Sequence, residues 1–337
     1  MAHRITIIGG GTMGTVSAIL LANKGYDVAF WHVRKAFVEE LAQTRENRRY
    51  LPGHPFPKSV RFCYDLPEAL RGSELLLNAV PTQFIRSVWT EIRKAGEPAV
   101  PVASMSKGIE QGTLLRPTQI LGEVLGPQTR VCALSGPSIG PELARCQPAT
   151  LVAASPDEPL ARLVQELFTT EYLRIYTNSD LVGVEIAGAA KNVIAIAAGV
   201  LDGLRCGDNA KASLLTRGLV EITRLGVALG ARPETFTGLA GIGDLITTAT
   251  SPLGRNRHVG EQIGRGRKLA DVLADMNQVA EGVASTRSMV ELARSNDVEM
   301  PIAEAVHRVL FEDLDPITGI SELMMRSRKD EMSNRPR

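Results

Sequence analysis

The chain of 337 residues has no surplus of one charge: 38 basic side chains face 37 acidic ones, a formal net of +1. Without a broad positive surface there is no general electrostatic pull toward nucleic acid or an anionic membrane. Cysteine is scarce, and Cys63, Cys132, Cys146 and Cys206 form no C-x-x-C pair and no zinc spacing. That excludes a recognisable metal framework, so no residue is assigned to a metal, and four reduced thiols are expected. The first residues, Met-Ala-His-Arg, run straight into an apolar strand and lack the long apolar region and cleavage site of a secretion signal. The most apolar later stretch, Val193–Leu201, is well short of the about 20 residues that span a bilayer. A soluble, cytoplasmic protein with no membrane span is expected. Internal repeats and low-complexity linkers are also missing, which removes solenoids and tethered modules from consideration.

What is present is an ordinary globular balance of 44% hydrophobic and 22% charged residues. The length suggests two domains and suffices for a large core without disulfides. The first half alternates short β-branched runs with helical periodicity. Strands are predicted at Ile5–Ile8, Tyr26–Trp31, Glu74–Val80, Val100–Ser104, Arg130–Leu134 and Thr150–Ala154. Helices are predicted at Thr12–Lys24, Lys35–Arg45, Gln83–Lys94, Leu114–Leu125 and Asp157–Phe168. This alternation predicts an α/β, Rossmann-like, doubly wound sheet, mostly parallel and covered on both faces. After about Asp180 the strand signals stop. Val182–Leu204, Ser213–Leu229, Leu269–Met276, Ser285–Ser295 and Ala303–Glu312 read as helices, with Gly230 as a C-cap and Pro301 in a first turn. The expected organisation is a dinucleotide-binding domain over residues 1–180 and an all-α substrate and catalytic domain over 181–337. The polar tail Ser327–Arg337 is expected to be disordered.

Gly9-Gly10-Gly11-Thr12-Met13-Gly14 fits G-x-G-x-x-G, a weak pattern alone but informative where it joins a first strand to a helix. Gly9 permits the tight turn, Gly11 lets the backbone approach a pyrophosphate, and Gly14 lets the helix pack on the strand. The helix start offers N–H groups to phosphate. An NAD-selective fold usually places a carboxylate about 20 residues later to bind the ribose 2′-OH. Here the second strand ends Trp31-His32-Val33-Arg34-Lys35, and the nearest carboxylate is Glu39. Arg34 and Lys35 suit a 2′-phosphate, which favours NADP(H) over NAD(H). The alternative is two solvated charges at a helix start.

In the second half, Val184–Ile194 is rich in Ala and Gly around Lys191 and Asn192. Close packing there predicts a buried Lys191 with its pKa lowered toward neutrality, suited to exchange a proton with a carbonyl oxygen. The alternative is an amine that reaches solvent. Asp244, ending the glycine-rich Gly238–Asp244, either supports Lys191 or caps a helix. Arg255-Asn256 either binds a phosphate or forms a surface turn. Lys107-Gly108 and Ser135-Gly136-Pro137-Ser138 each follow a strand, where open α/β sheets bind ligands. These groups are expected to converge between the domains.

Together the segments resemble the NAD(P)-dependent glycerol-3-phosphate dehydrogenase family. The resemblance spans nearly the whole chain. It is carried by Gly9–Gly14, Tyr50-Leu51-Pro52, Ser106–Glu110, Ser135–Ser138, Lys191–Ala195, Gly241–Asp244, Arg255-Asn256-Arg257 and Glu281-Gly282. It implies hydride transfer at C2 of dihydroxyacetone phosphate or sn-glycerol 3-phosphate, with Lys191 as proton donor and acceptor and Asp244 as its supporting carboxylate. It implies substrate contacts at Lys107, Gly136, Ser138, Lys191, Asp244, Gly254, Arg255 and Asn256. It places cofactor contacts at Gly9, Gly11, Thr12, Met13, Gly14, Arg34, Tyr50, Lys107, Gly140, Arg255, Val279 and Glu281. A homodimer supplying glycerol 3-phosphate for phospholipid synthesis also follows from the resemblance alone. Two positions depart from the family pattern. Gly254 stands where many relatives carry Ser, which removes one phosphate hydroxyl contact, and Ser138-Ile139-Gly140 replaces a more usual sequence. A reductase of a branched 2-keto acid, a 3-hydroxyacyl dehydrogenase and a non-catalytic dinucleotide sensor share the fold-level signals. The set Lys191, Asp244, Arg255 and Asn256 argues against the sensor.

Overall fold

The structure, a computed structural model, describes residues 3–96, 99–276, 278–328 and 330–331. Most of the tail expected to be disordered, residues 329 and 332–337, lies outside the described residues. The chain divides into two compact units, one of Met1–Lys107 with Leu115–Leu181 and one of Gly108–Leu114 with Val182–Arg337.

The first unit is built on one eight-stranded sheet. Its strands are β1 (Arg4–Ile8), β2 (Asp27–Trp31), β3 (Arg61–Cys63), β4 (Leu75–Asn78), β5 (Val102–Ser104), β6 (Val131–Ser135), β7 (Ala149–Ala154) and β8 (Leu173–Asn178). Their order is β3-β2-β1-β4-β5-β6-β7-β8. Among the described strands of this sheet, β6–β7 pair antiparallel and the other neighbours pair parallel. β1 lies between β2 and β4, with Ile5 opposite Val28 on one side and Leu75 on the other. The strand order therefore reverses direction at β1, the switch point where such sheets bind ligands. Ile5, Ile7 and Ile8 are fully buried. Helices cover both faces, so an inner parallel strand is apolar throughout rather than alternating.

The connecting helices are α1 (Thr12–Asn23), α2 (Lys35–Thr44), α3 (Leu66–Leu70), α4 (Ile85–Lys94), α5 (Pro117–Leu125), α6 (Gly140–Ala144) and α7 (Glu158–Phe168). Their ends follow local chemistry. Asp65 and Asp157 accept the N–H groups of Glu68 and Leu160 as N-caps of α3 and α7. The ammonium of Lys24 takes the carbonyls of Glu166, Leu167 and Thr169 at the end of α7, where a cation suits the helix dipole. The helix expected from Leu114 begins only at Pro117: Leu114 has φ 59°, outside helical geometry, and the proline takes the first turn.

The second unit is helical: α8 (Leu181–Gly203), α9 (Asp208–Ala228), α10 (Pro233–Phe236), a π-helical turn Leu239–Gly243, α11 (Asp244–Thr250), α12 (Arg255–Gly264), α13 (Leu269–Ala274), α14 (Glu281–Ser295), α15 (Pro301–Phe311) and α16 (Pro316–Met324). The expected α9 starts earlier than Ser213, at Asp208. Helix α8 corrects the reading of apolar length. Over 23 residues it is long and apolar enough to cross a membrane, because its alanines and glycines extend the run beyond Val193–Leu201. Its apolar window is 83% buried inside the fold, and a helix apolar on all sides is a core helix when neighbours surround it. Gly199 and Gly203 of α8 face Gly260 and Gly264 of α12 at contact distance. A Cβ on Gly260 would stand 1.9 Å from the Ile196 carbonyl oxygen, and one on Gly199 equally close to that of Arg257. Side chains longer than hydrogen cannot fit this crossing. Asp202 locks it by accepting from Arg257 (2.6 Å) and Lys211 (2.5 Å). The crossing holds the start of α12 against the middle of α8.

Candidate active site

In the first unit the glycine turn sits at the carboxyl end of β1. Gly9 has φ +115°, and a Cβ there would stand 2.7 Å from the Ala79 carbonyl oxygen. A Cβ on Gly14 would stand 2.1 Å from the Gly9 carbonyl oxygen. Both positions therefore serve the close packing of turn, helix and neighbouring strand. Gly11 differs, since a Cβ there would meet nothing within 4 Å of protein. Gly11 also precedes α1 without any side-chain cap. Room at Gly11 and an uncapped helix start fit a pyrophosphate.

Around this turn the structure gathers Thr12, Met13, Tyr50 and Gly140. The Thr12 hydroxyl donates to the Tyr50 carbonyl (3.0 Å). A Cβ on Gly140 would stand 2.3 Å from the Thr12 methyl, so a larger residue there would force the Thr12 side chain to move. Sequence reasoning missed Asn47. It is fully buried and donates to the Gly10 carbonyl (2.9 Å) and the Thr15 hydroxyl (2.7 Å), while its own oxygen accepts the Tyr50 N–H (3.2 Å). Its tie to the glycine turn is not marked in the sequence, because Gly10 and Thr15 lie more than 30 residues away.

Past β2, the Arg34 N–H donates to His32 Nδ1 (3.1 Å). Burial, then the neighbouring Arg34, and then Arg49 push the His32 pKa down to about 4, so the imidazole is neutral at pH 7. Arg34 is exposed. Lys35 is turned elsewhere: its ammonium lies 3.7 Å from Glu39 and 4.8 Å from the Tyr64 ring centre. The positive charge beside His32 thus comes from Arg34 and Arg49, not from the Arg34–Lys35 pair that adjacency suggested.

At the ends of β5 and β6, the Lys107 ammonium donates to the Gly136 carbonyl (3.0 Å) and reaches the Ser138 hydroxyl (3.4 Å). The Ser138 hydroxyl also donates to Gly136 (2.9 Å). The three predicted residues form one cluster.

The second unit holds the proposed catalytic group. Lys191 is 5% exposed and Asp244 1%. The Lys191 ammonium donates to Asp244 Oδ1 and to the Thr248 hydroxyl (2.7 Å). Asp244 opens α11 and Thr248 follows one turn later, so both face the same way. Thr248 was missed in the sequence, although its i+4 spacing from Asp244 is the signal that marks it. Burial excludes the alternative in which the amine extends into solvent.

Asn256 is buried and works as a clamp. Its amide nitrogen donates to Asn192 Oδ1 (2.9 Å) and its oxygen accepts the Gly282 N–H (3.0 Å). One of its two N–H groups is thereby committed to protein. A Cβ on Gly282 would stand 2.7 Å from Asn256 Oδ1, which explains glycine after Glu281. Arg255 is exposed on the first turn of α12 and donates to the Val279 carbonyl (2.7 Å). Val279 and Glu281 lie just before and at the start of α14. Gly254 precedes α12, and a Cβ there would stand 2.8 Å from the Thr248 carbonyl oxygen. The local backbone, not only the absence of a hydroxyl, therefore distinguishes this position from Ser.

Comparison with known proteins accounts for both halves. Residues 4–161 match the family described as the NAD-dependent glycerol-3-phosphate dehydrogenase N-terminus, and residues 180–321 match its C-terminus. The chain is 51% identical over 333 residues to a glycerol-3-phosphate dehydrogenase (NAD(P)+) from Salinibacter ruber, covering 98% of this chain and 97% of that protein. It is 48% identical to a protein of the same name from Geobacter sulfurreducens, covering 98% of this chain and 99% of that one. The crystal structure of glycerol-3-phosphate dehydrogenase from Coxiella burnetii superposes with a TM-score of 0.93 at 37% identity, over 96% of this chain and 99% of that one. On these matches over nearly its whole length, the chain belongs to the NAD-dependent glycerol-3-phosphate dehydrogenase family.

Proposed function

We propose that this chain interconverts dihydroxyacetone phosphate and sn-glycerol 3-phosphate with NADP(H) and/or NAD(H). The observation that carries the reading is the buried ammonium of Lys191, held by Asp244 and Thr248. A bound nicotinamide would supply the hydride that C2 gains in reduction and accept it in oxidation. In the reducing direction Lys191 gives a proton to the C2 oxygen as it becomes an alcohol, and it takes that proton back in oxidation. Asp244 holds the ammonium by charge and Thr248 orients it. Lys107, Gly136 and Ser138 are the proposed contacts to the three-carbon phosphate in the first unit, and Gly254, Arg255 and Asn256 are those proposed for its phosphate in the second. Arg255 suits this through a planar fork that matches phosphate oxygens.

The dinucleotide would be held by Gly9, Gly11, Thr12, Met13 and Gly14 at the pyrophosphate, with Tyr50 and Gly140 beside them. Arg34 faces the 2′-position, and Lys107, Arg255, Val279 and Glu281 complete the set. The proposed dinucleotide-binding domain spans residues 1–180 and the catalytic domain 181–337, although the segment Gly108–Leu114 groups with the second compact unit and Leu181 with the first. We further propose a cytoplasmic homodimer that supplies glycerol 3-phosphate for phospholipid synthesis.

The test is the nicotinamide absorbance with dihydroxyacetone phosphate and NADPH or NADH, beside phosphate-free dihydroxyacetone. Turnover of the phosphate ester with poor reaction of the free ketone is expected. Equal rates on both, or NADPH binding without turnover, would overturn the assignment, the latter in favour of a sensor.

A further inference from the structure

A polar chain runs beneath the proposed Lys107 subsite, through apolar surroundings. Asn78 ends β4 and is fully buried, as is Trp89 of α4. Trp31, Val80, Ile85, Ile92 and Val102 belong to the same apolar cluster as Trp89. The Trp89 indole N–H donates to Asn78 Oδ1 (2.9 Å). Indole nitrogen is only a donor, so this bond fixes which end of the Asn78 amide is oxygen. The amide nitrogen then donates to the hydroxyls of Ser104 (3.0 Å) and Ser106 (2.8 Å). The Ser106 hydroxyl donates to the Val80 carbonyl (2.5 Å). The Asn78 carbonyl accepts the Met105 N–H (2.9 Å). Asn78 thus touches residues 104, 105 and 106 directly, and the next residue is Lys107.

A fully satisfied polar network in an apolar setting is rigid, whereas a broken one is costly. Neither serine nor Asn78 adds to the apolar core, and Val or Leu would fill β4 with less risk. The geometry points to another use. We propose that Asn78 is a positioning residue that, through Ser106, sets where the Lys107 ammonium meets the three-carbon phosphate. The proposal rests on the reading that Lys107 binds this substrate.

The experiment is a double-mutant cycle on the full chain, with KM, kcat and melting temperature measured for Asn78→Ala, Lys107→Ala and the double variant. Lys107→Ala should raise KM for dihydroxyacetone phosphate. Asn78→Ala should raise it about tenfold, since a misplacement near 1 Å is costly at a preorganised site. In the Lys107→Ala background, Asn78→Ala should leave KM unchanged while lowering the melting temperature as before. A purely structural role would not produce that split. The chain has two tryptophans, Trp31 and Trp89, and Trp31 donates separately to the Tyr64 carbonyl (3.0 Å). The indole NMR signal of Trp89 alone should therefore move in a folded Asn78→Ala variant. If that variant does not fold, Ser106→Ala breaks the same chain at a half-buried position and carries the same cycle. Multiplicative effects on KM, or no effect of Asn78→Ala, overturn the positioning role and leave the Lys107 reading intact. An unchanged KM in Lys107→Ala overturns both.

Discussion

Replacing Lys191 by Ala has two separable consequences. The side chain is 5% exposed, and its partner Asp244 is 1% exposed. Removing the ammonium takes the opposite charge away from a buried carboxylate that the Thr248 hydroxyl approaches at 3.4 Å. Stranding one member of a buried ion pair costs about 3–5 kcal/mol. That is a large share of a total stability of roughly 5–15 kcal/mol, so the variant should melt well below the parent. Separately, loss of the proton donor should cut turnover at least ~100-fold, equivalent to about 2.7 kcal/mol of barrier. Lys191→Ala combined with Asp244→Asn removes the stranded charge. The pair should recover part of the lost stability and none of the turnover. Thermal melts and initial rates at saturating NADPH read the two effects, and fluorescence titration should show NADPH still bound. Near-normal turnover in Lys191→Ala, or recovery of rate together with stability in the double variant, would refute the proton-transfer role.

Arg34→Ala should weaken NADPH about tenfold more than NADH, the worth of one charge-assisted contact; equal losses in paired titrations would remove the 2′-phosphate argument. Glu221 in α9 accepts the Ile302 (2.9 Å) and Ala303 (3.4 Å) N–H groups at the start of α15, and burial pushes its pKa up to about 7. The native state therefore holds a proton that the unfolded chain releases above pH 4.5. This contribution to stability is complete below pH 4.5 and is lost as pH rises through 7, a decline of roughly 3 kcal/mol. Urea melts between pH 5 and 8 should show that slope reduced in Glu221→Gln; an unchanged slope would disprove it. Gly260→Ala drives a methyl into the Ile196 carbonyl, so it should cost about 1–3 kcal/mol and raise KM through displacement of Arg255 and Asn256. A variant as stable as the parent would show that the helix crossing yields. Gly254→Ser should bring no gain in substrate affinity and a lower melting temperature, because its Cβ meets the Thr248 carbonyl; tighter substrate binding would contradict this.

Legibility followed the range of the interactions. The strands predicted from Ile5 to Ala154 correspond to β1, β2, β4, β5, β6 and β7, because buried parallel strands are apolar runs bounded by turns. Two strands were not read. β3 has three residues, too few for any period. β8 alternates buried and exposed residues from Leu173 to Tyr176 and did carry a readable period-2 signal. Short helices such as α6 and α11 also escaped, although the six-residue α13 was read. Among candidate site residues, those in local motifs were legible: the glycine turn, Lys191, Asp244 and Arg255-Asn256. Asn47, Arg49 and Asn192 were not assigned roles, because the groups through which they reach the site, Gly10, His32 and Asn256, come from distant segments.

The order of residues by itself determined the glycine turn after the first strand, the α/β half followed by a helical half, and the family. Each of these depends on spacing within one segment or on an ordered series of short motifs. Only the tertiary structure decided that the Lys191 amine is enclosed, that Lys35 turns away from Arg34, and that Gly254 is confined by Thr248. It also decided that the apolar length of α8 is core. The reason is common to all four: burial and ion pairing are set by which distant groups fill the space around an atom, and one-dimensional spacing does not contain that information.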